Sequence, residues 1–274
     1  MRCLFCKKES TTSKSVEHII PESLGNLSHI LPKGVVCDNC NNYFARKVEK
    51  PFLELPAMTI LRFNQMVPNK RGSTPPVSGF LMPSKCPVVL QNHLKASTIS
   101  VEVPDEVFES LRNSNKMSVI LPTEAPLPES PIVSRFLSKV AIEAMALKLV
   151  DHPKGLEYIV DEKQLDPIRN HARYGQNIEW PYHSRRIYDA NKGWRNKTGK
   201  NIQVVHEFDI FKTEDGEYYF VICIFGLEFS INYSGPEIEG YIKWLKNHND
   251  TSPLYSRKNP KGNYHSEITS HEYL

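Results

Sequence analysis

Two Cys-x-x-Cys pairs near the N-terminus constrain the fold of this chain more than any other feature of its sequence. The first pair is Cys3 and Cys6, the second is Cys37 and Cys40, and 30 residues separate the pairs. Each pair offers two thiolates from one tight turn, and together they make the tetrahedral four-sulfur set of a structural zinc ion. Such a site has no open coordination position, so it stabilises a segment rather than catalysing a reaction. The sequence therefore predicts a structural Zn²⁺ ion bound by these four cysteines.

The composition is that of a globular protein, with 40% hydrophobic and 24% charged residues in a chain of 274. These values exclude disordered, collagen-like and coiled-coil chains. The longest apolar runs are far shorter than the ~20 residues of a membrane span, and the first residues leave no room for the apolar core of a signal peptide. We therefore expect a cytoplasmic protein without a membrane partner, in which reducing conditions favour metal binding by the cysteines over disulfides.

Positive charge is concentrated towards the N-terminus. Residues 1–72 hold 11 Lys and Arg against 6 Asp and Glu, whereas the whole chain has a net charge of +3. This asymmetry is compatible with binding of an anion such as nucleic acid, and also with a solvated basic surface.

The sequence predicts four segments. Residues 1–55 form the cysteine-bounded module, and 56–131 form a Pro-rich linker with an irregular β region. Residues 132–255 form an α+β body, and 256–274 form a polar tail. The sequence leaves open whether this body positions DNA, mediates dimerisation or acts as a sensor.

The predicted body combines a helix with antiparallel strands. Apolar residues at helical spacing predict a helix over 134–150 with Ser134 as its N-cap, and apolar residues on all sides indicate that the helix is buried. Two β-rich runs, 202–211 and 217–225, flank Thr213–Gly216, whose composition is typical of a hairpin turn.

The residues between and after the cysteine pairs resemble those of the HNH endonuclease family. Glu17 and His18 form an acid–histidine dipeptide followed by Ile-Ile-Pro, and Asn41 follows Cys40 directly. The resemblance covers residues 3–50 and implies a β-hairpin followed by a helix, with one divalent metal ion between them. The predicted fold class is therefore α+β, with a zinc-bound ββα-metal module followed by a mixed α+β body that has an antiparallel sheet.

The resemblance implies hydrolysis of phosphodiester bonds in DNA, which we expect to be double-stranded. Histidine exchanges a proton near neutral pH, so His18 can act as the general base that activates water. Glu17 supplies a hard oxygen ligand for Mg²⁺ or Mn²⁺, and the amide oxygen of Asn41 completes the metal site, with Asn42 as the competing ligand. The metal polarises the scissile phosphate and stabilises the leaving 3′-oxygen. Because neighbouring strand residues point to opposite faces, we expect the strand to bend or bulge at Glu17 and His18.

One position departs from the family pattern. Many members carry an Asn or His five residues before the second cysteine pair, where it orients the general base, and this chain has Pro32 there. Asn26 and His29 lie earlier in the same loop and could take this role. We favour Asn26, because it follows a predicted turn. Many members also place a His shortly after the Cys-Asn dipeptide, where this chain has residues 43–45, Tyr-Phe-Ala.

Two groups of basic residues are candidates for contact with nucleic acid. Arg46 and Lys47 lie on the helix expected after the second cysteine pair and could contact phosphates. The stretch 168–200 holds 8 Lys and Arg against 2 acidic residues, interleaved with aromatic residues. We predict that Arg185, Arg186 and Arg195 contact the substrate, and the alternative is a surface loop that its aromatic residues anchor to the core.

Three functions are compatible with these features. The first is a metal-dependent HNH endonuclease that acts on DNA and that forms a homodimer if it cuts both strands. Analogy with compact HNH nucleases that carry an added domain suggests a role in restriction or phage defence. The alternative is a non-catalytic zinc module that binds nucleic acid or protein, which has no use for Glu17 and His18. In the third function, the C-terminal body is a sensor of a ligand or a partner.

Overall fold

The structure is a computed structural model that describes residues 1–112, 118–128, 130–175, 179–195, 201–256 and 267–272. The helices in these ranges are α1 (Asp38–Phe44), α2 (Lys50–Leu53), α3 (Pro56–Asn64), α4 (Asp105–Arg112), α5 (Pro131–Leu149), α6 (Gly155–Asp161), α7 (Asp166–Tyr174), α8 (Glu239–Asn247) and α9 (Pro253–Ser256). The strands are β1 (Glu17–His18), β2 (Ile30–Leu31), β3 (Val77–Met82), β4 (Cys86–His93), β5 (Thr98–Glu102), β6 (Ser118–Ile120), β7 (Tyr182–Arg186), β8 (Gly193–Arg195), β9 (Asn201–Lys212), β10 (Tyr218–Ile224), β11 (Leu227–Asn232) and β12 (Glu267–Glu272). None of the helices in the described ranges has the length and apolarity of a membrane-spanning segment.

The chain divides into two compact units. The first unit comprises Met1–Pro21, Asn26–Pro51 and Ser130–Leu274. The second unit comprises Glu22–Gly25 and Phe52–Glu129. Most of the cysteine-bounded module and the C-terminal body, which the sequence predicts as separate segments, therefore share one compact unit.

The N-terminal part of the first unit begins with a two-stranded hairpin. β1 pairs with β2 in antiparallel orientation, with Glu17 opposite Leu31 and His18 opposite Ile30. The chain bends directly after His18, where β1 ends. The hairpin therefore presents the acid–histidine dipeptide at the end of a short strand.

A helical segment follows the hairpin. Cys37 is the N-cap of α1, and its Sγ accepts a hydrogen bond from the backbone N–H of Cys40. A π-helical turn, Ala45–Glu49, joins α1 to α2. Two strands followed by a helix are the order of elements that the resemblance implies.

The C-terminal part of the first unit is built on an antiparallel sheet. Its strand order is β12-β9-β10-β11-β7, and β8 pairs with β9 beside this path. β9 and β10 form the predicted hairpin, and Gly216 in its turn has φ +94°, a left-handed conformation that favours glycine. The prediction of an antiparallel sheet in the body is confirmed.

The two faces of this sheet have different buried neighbours. One face packs against α8 in a largely aromatic core, whose buried members include Tyr188, Phe211, Tyr219, Tyr241 and Trp244. Because neighbouring strand residues alternate, Phe220 points to the other face, where its ring lies 6.5 Å from that of Tyr233. The hydroxyl of Tyr233 donates to the carbonyl of Ala141 at 2.6 Å, which ties α5 to this face.

α5 begins at Pro131 rather than at the predicted Ser134. The N-cap is Ser130, whose Oγ accepts a hydrogen bond from the backbone N–H of Ile132 at 3.3 Å. Proline is tolerated in the first turn because its missing N–H has no helical partner there, so the helix starts earlier than the apolar spacing predicts. Ser134 instead lies with its Oγ 2.9 Å from Nε2 of His171. The helix is buried on nearly all sides, as predicted.

The second unit spans most of the region that the sequence predicts as linker and irregular β structure. It contains a four-stranded antiparallel sheet in the order β5-β4-β3-β6. Its core consists of Ile60, Phe63, Val77, Leu81, Val88 and Leu90. The region has a core of its own, although its two central strands carry Gly79 and Pro87, which weaken the strand signal.

The stretch 168–200 is not a long loop, because it contains most of α7, β7 and β8. Trp180 and Tyr188 are buried, so part of its aromatic content anchors it to the core. Tyr174, by contrast, is 53% exposed. Residues 176–178 and 196–200 lie outside the described residues.

The C-terminal tail contributes a strand to the sheet of the first unit. β12 pairs with β9 in antiparallel orientation, with Glu267 opposite Phe208. The sequence does not predict a strand in this polar tail, because a short polar run gives little strand signal until an existing sheet edge offers it hydrogen bonds. Residues 257–266 lie outside the described residues.

Candidate functional site

The four predicted zinc ligands converge in space. The ligand atoms of Cys3, Cys6, Cys37 and Cys40 all lie within 4.8 Å of one another. Cys6 Sγ is 3.7 Å from Cys37 Sγ, close to the edge of about 3.8 Å in a tetrahedron with Zn–S bonds of about 2.3 Å. Backbone N–H groups also point at the sulfurs, because Cys37 donates to Cys3 Sγ at 3.3 Å and Cys40 donates to Cys37 Sγ at 3.4 Å.

The chemistry of the cysteine cluster also fits zinc. The hydrogen bond between Cys3 and Cys40 lowers the pKa of the Cys3 thiol and raises that of the Cys40 thiol, so this pair shares a proton that a bound metal ion would displace. Within the described ranges, these cysteines are the one group of three or more Cys, His, Asp or Glu side chains at metal-ligand spacing. The cluster can therefore hold the predicted structural zinc ion.

β1 places Glu17 and His18 in different environments. Glu17 is 4% exposed, whereas His18 is half-buried. This alternation follows from the strand geometry, and the bend comes directly after His18 rather than between the two residues. The predicted metal ligand is thus buried, and the predicted base keeps some access to solvent.

A fully buried lysine lies against Glu17. Lys139 Nζ, on α5, is 2.6 Å from Glu17 Oε1, 2.7 Å from Glu49 Oε1 and 2.9 Å from Glu143 Oε2. It also donates to the backbone carbonyl of His18 at 3.3 Å. We call Glu17, Glu49, Lys139 and Glu143 the Lys139 cluster. Three carboxyl groups therefore surround one ammonium in this cluster.

Burial and charge shift the pKa values in the Lys139 cluster. Burial raises the pKa of Glu17, against the opposing effect of Lys139, and burial likewise raises the pKa of Glu143 well above its usual range. Burial alone would lower the pKa of Lys139, but the three carboxylates raise it well above its usual value. Lys139 is therefore the stable positive charge of this cluster.

Asn41 lies beside the strand that carries the acid–histidine dipeptide. Its Nδ2 donates to the backbone carbonyl of Val16 at 3.0 Å, which ties α1 to the residue preceding Glu17. Its amide oxygen is the atom that suits a hard cation. Asn42, one residue further along α1, is exposed.

Asn26 organises the loop between β1 and β2. Its Nδ2 donates to the carbonyls of Ile20 at 2.7 Å and His29 at 3.0 Å. Its Oδ1 accepts from the backbone N–H groups of Ser28 at 3.1 Å and His29 at 2.9 Å. These four bonds use the hydrogen-bonding capacity of the amide, so Asn26 shapes the backbone that follows His18. His29 is buried, and Pro32 is exposed.

The basic candidates differ in how they are engaged. Arg46 and Lys47 are exposed on the π-helical turn after α1. Arg186 is also exposed, and its guanidinium contacts the backbone carbonyl of Phe225 at 3.2 Å. Arg195 ends β8, and its side chain is outside the described part of the chain.

Arg185 is held within the C-terminal body. Its Nε donates to Glu228 Oε1 at 2.6 Å, and its guanidinium also donates to the carbonyl of Asp250 at 2.7 Å. Glu228 is 0% exposed, so it depends on Arg185 for a compensating charge. This intramolecular pairing limits what Arg185 can offer to a phosphate.

Sequence reasoning did not identify Glu49, Lys139 and Glu143 as part of this site. One signal was available, because Lys139 and Glu143 stand at i and i+4 in a helix that is apolar on nearly all sides. Charged residues in a buried helix need partners. The sequence alone does not show that Glu17 and Glu49 are those partners.

The residues present also fit a divalent metal ion beside β1. Glu17 Oε2 is buried and has no hydrogen-bond partner among the residues that the structure describes. A carboxylate oxygen of this kind and the amide oxygen of Asn41 are hard ligands. Mg²⁺ commonly takes one or two protein oxygens and completes its coordination with water and substrate phosphate.

Comparison with known proteins gives one match. No curated protein and no solved structure matches the chain significantly. Residues 3–55 match the family model described as HNH endonuclease, so the predicted resemblance is confirmed and the N-terminal segment of this chain is related to the HNH endonucleases.

Proposed function

We propose that the chain is a metal-dependent endonuclease that hydrolyses phosphodiester bonds in DNA. The observation that carries this proposal is the position of Glu17 and His18 on β1, next to Asn41 and within the four-cysteine frame. The match of residues 3–55 to the HNH endonucleases supports the same activity.

His18 acts as the general base in this proposal. Its side chain is half-buried, so a water molecule and a phosphate can approach it, and imidazole accepts a proton from water near neutral pH. The bonds of Asn26 shape the loop directly after His18, and Lys139 binds the His18 carbonyl. These contacts hold the backbone of His18, which limits how far the base can move from the attacking water.

Glu17 and Asn41 would hold the divalent ion, Mg²⁺ or Mn²⁺. When bound, the ion would withdraw electron density from the scissile phosphate and stabilise the leaving 3′-oxygen. Glu17 contributes the buried oxygen Oε2, and Asn41 contributes its amide oxygen. The zinc ion at the cysteine cluster has a structural role, because its four sulfur ligands leave no open position.

Arg46 and Lys47 would bind the phosphates of the substrate. Both side chains are exposed on the helical segment that carries Asn41. Contacts of this kind add affinity that does not depend on base sequence. We propose double-stranded DNA as the substrate and a homodimer as the form that cuts both strands.

The experiment that tests this function is cleavage of supercoiled plasmid by the purified chain with Mg²⁺, with Mn²⁺ and with EDTA. We expect cutting that depends on the metal and that His18→Ala reduces by a factor of about 10²–10⁴. His152→Ala is the matched control, because His152 is exposed and lies outside the site.

The outcomes of this experiment distinguish an endonuclease from a non-catalytic zinc module. His18→Ala should keep its zinc content, its melting temperature and its retention of DNA in a gel shift. Full activity in His18→Ala would exclude this residue as the base. Zinc binding and DNA retention without cutting by the unmodified chain would instead support a non-catalytic zinc module.

A further inference from the structure

Lys139 lies outside the segment that matches the HNH endonucleases, yet it contacts both residues of the acid–histidine motif. Its Nζ donates to Glu17 Oε1 at 2.6 Å and to the backbone carbonyl of His18 at 3.3 Å. The lysine is 0% exposed. A buried ammonium that binds two consecutive motif residues restricts the position of both.

The other members of the Lys139 cluster hold the ammonium in place. Glu49 Oε1 lies 2.7 Å from Nζ and Glu143 Oε2 lies 2.9 Å from it. With Glu17, these carboxylates come from three elements: β1, the π-helical turn and α5. An ammonium has three N–H donors, and Lys139 directs two of them to Glu17 Oε1 and to the His18 carbonyl, so the ammonium is oriented towards Glu17 and can fix it in turn.

Lys139 engages only one oxygen of Glu17. Glu17 Oε2 is buried and has no hydrogen-bond partner among the described residues, and an ion is one of the groups that satisfy such an oxygen. We propose that Lys139 is a positioning residue of the nuclease site, which fixes Glu17 through Oε1 so that Oε2 serves as a ligand of the divalent cation. This inference rests on the proposed function and adds a residue from α5 to its site.

A purely Coulombic role for Lys139 makes a different prediction. Coulomb attraction for a cation depends on the net charge of the cluster. Lys139→Met/Glu143→Gln removes the ammonium together with a carboxyl group whose pKa is raised well above its usual range, so the cluster is left at least as negative as before. Glu143→Gln alone leaves the contact between Lys139 and Glu17. Net charge alone therefore predicts unchanged or tighter cation binding in the double variant, whereas positioning predicts weaker binding in the double variant and little change in Glu143→Gln.

The test is Mn²⁺ binding to the zinc-loaded full chain, measured by isothermal titration calorimetry without DNA. We expect Lys139→Met/Glu143→Gln to raise the Kd for Mn²⁺ at least tenfold and Glu143→Gln to change it much less. The matched control is Lys148→Met/Asp209→Asn, which removes another lysine–carboxylate pair of α5, with Nζ 3.0 Å from Oδ1. Unchanged Mn²⁺ binding in the Lys139 double variant would overturn the proposal, as would equal weakening in Glu143→Gln.

A second measurement covers the case in which the double variant does not fold. In the native chain, the ¹⁵N resonance of the buried Lys139 ammonium should shift as Mg²⁺ is added, over the concentrations that saturate cleavage. A resonance that stays unchanged would overturn the proposal. Plasmid cleavage by the native chain is measured in parallel. Cutting without a shift of the Lys139 resonance would overturn this inference alone, whereas a chain that does not cut would overturn the proposed function.

Discussion

Lys139 Nζ lies 2.6 Å from Glu17 Oε1, although 122 positions separate the two residues in the chain. A second contact of the same kind joins Arg135 of α5 to the hydroxyl of Tyr43 in α1, at 2.9 Å. The segment that matches the HNH endonucleases thus obtains partners for its polar groups from a helix that the family match does not include. The C-terminal body therefore contributes to the environment of the acid–histidine dipeptide, Glu17 and His18.

Arg169 provides the first prediction. Its Nε donates to the carbonyl of Leu4 at 2.7 Å and its guanidinium donates to the carbonyl of Ile159 at 2.6 Å, and the residue is 1% exposed. Arg169→Met leaves both buried carbonyls without these donors. We expect the free energy of unfolding to fall by about 2–4 kcal/mol, since each unsatisfied buried acceptor costs about 1–3 kcal/mol. Urea unfolding followed by circular dichroism measures this change.

Arg173→Met is the control for Arg169→Met. Arg173 lies on the same helix, α7, but is only half-buried. Its replacement should change the free energy of unfolding by no more than about 0.5 kcal/mol, as at most surface positions. Equal destabilisation by both variants would show that the carbonyl contacts of Arg169 are not the cause.

Zinc binding provides the second prediction. Cys37→Ser removes one of four sulfur ligands, and serine does not replace a thiolate on zinc, so we expect loss of bound zinc. Because metal binding and folding are linked, the melting temperature should fall on the order of 10 °C. Elemental analysis and thermal melting measure both effects. Cys86→Ser is the control, and a Cys37→Ser chain that keeps its zinc and its melting temperature would refute the zinc assignment.

The zinc frame was predictable from the sequence because its ligands are chemically distinctive and locally spaced. Cys37 and Cys40 lie one helical turn apart, and this local geometry needs no knowledge of the rest of the fold. The hairpin between β9 and β10 was predictable for a similar reason, since turn residues and strand residues are adjacent in sequence.

The Lys139 cluster was not predictable, because its geometry depends on long-range packing. Glu17 and Glu49 carry no sequence signal that pairs them with a lysine on α5, and such pairing is decided by which buried surfaces meet. The second unit was also missed as a compact body. Its two central strands include Gly79 and Pro87, so the sheet is stabilised by its shared core rather than by strong local strand preference.

The exposed residues Arg46 and Lys47 provide the third prediction, which concerns DNA affinity. Arg46→Gln/Lys47→Gln should weaken DNA binding and reduce its dependence on salt, by about 0.9 in the slope of log K against log salt for each phosphate that the variant no longer binds. The slope is measured by fluorescence anisotropy with a DNA duplex at salt concentrations from about 50 to 200 mM, a range over which such effects are large. Lys154→Gln/Lys163→Gln removes the same charge from exposed positions elsewhere. An equal change in that control would mean that net charge, not position, determines affinity.

His171 provides the fourth prediction, which concerns stability in acid. Burial, together with the nearby charge of Arg135, lowers the pKa of His171 from 6.5 to about 4. Its Nε2 lies 2.9 Å from Ser134 Oγ, and its Nδ1 has no hydrogen-bond partner among the described residues, so a proton on Nδ1 would be buried without an acceptor. Between pH 6.5 and about 4 the unfolded chain therefore binds a proton that the folded chain does not, and stability must fall as the pH falls through this range.

His171→Gln removes this contribution, so the free energy of unfolding of the variant should depend less steeply on pH than that of the native chain. Urea unfolding at several pH values measures both slopes. His152→Gln, which replaces an exposed histidine, should keep the native slope, and an unaltered slope in His171→Gln would show that His171 does not limit stability in acid.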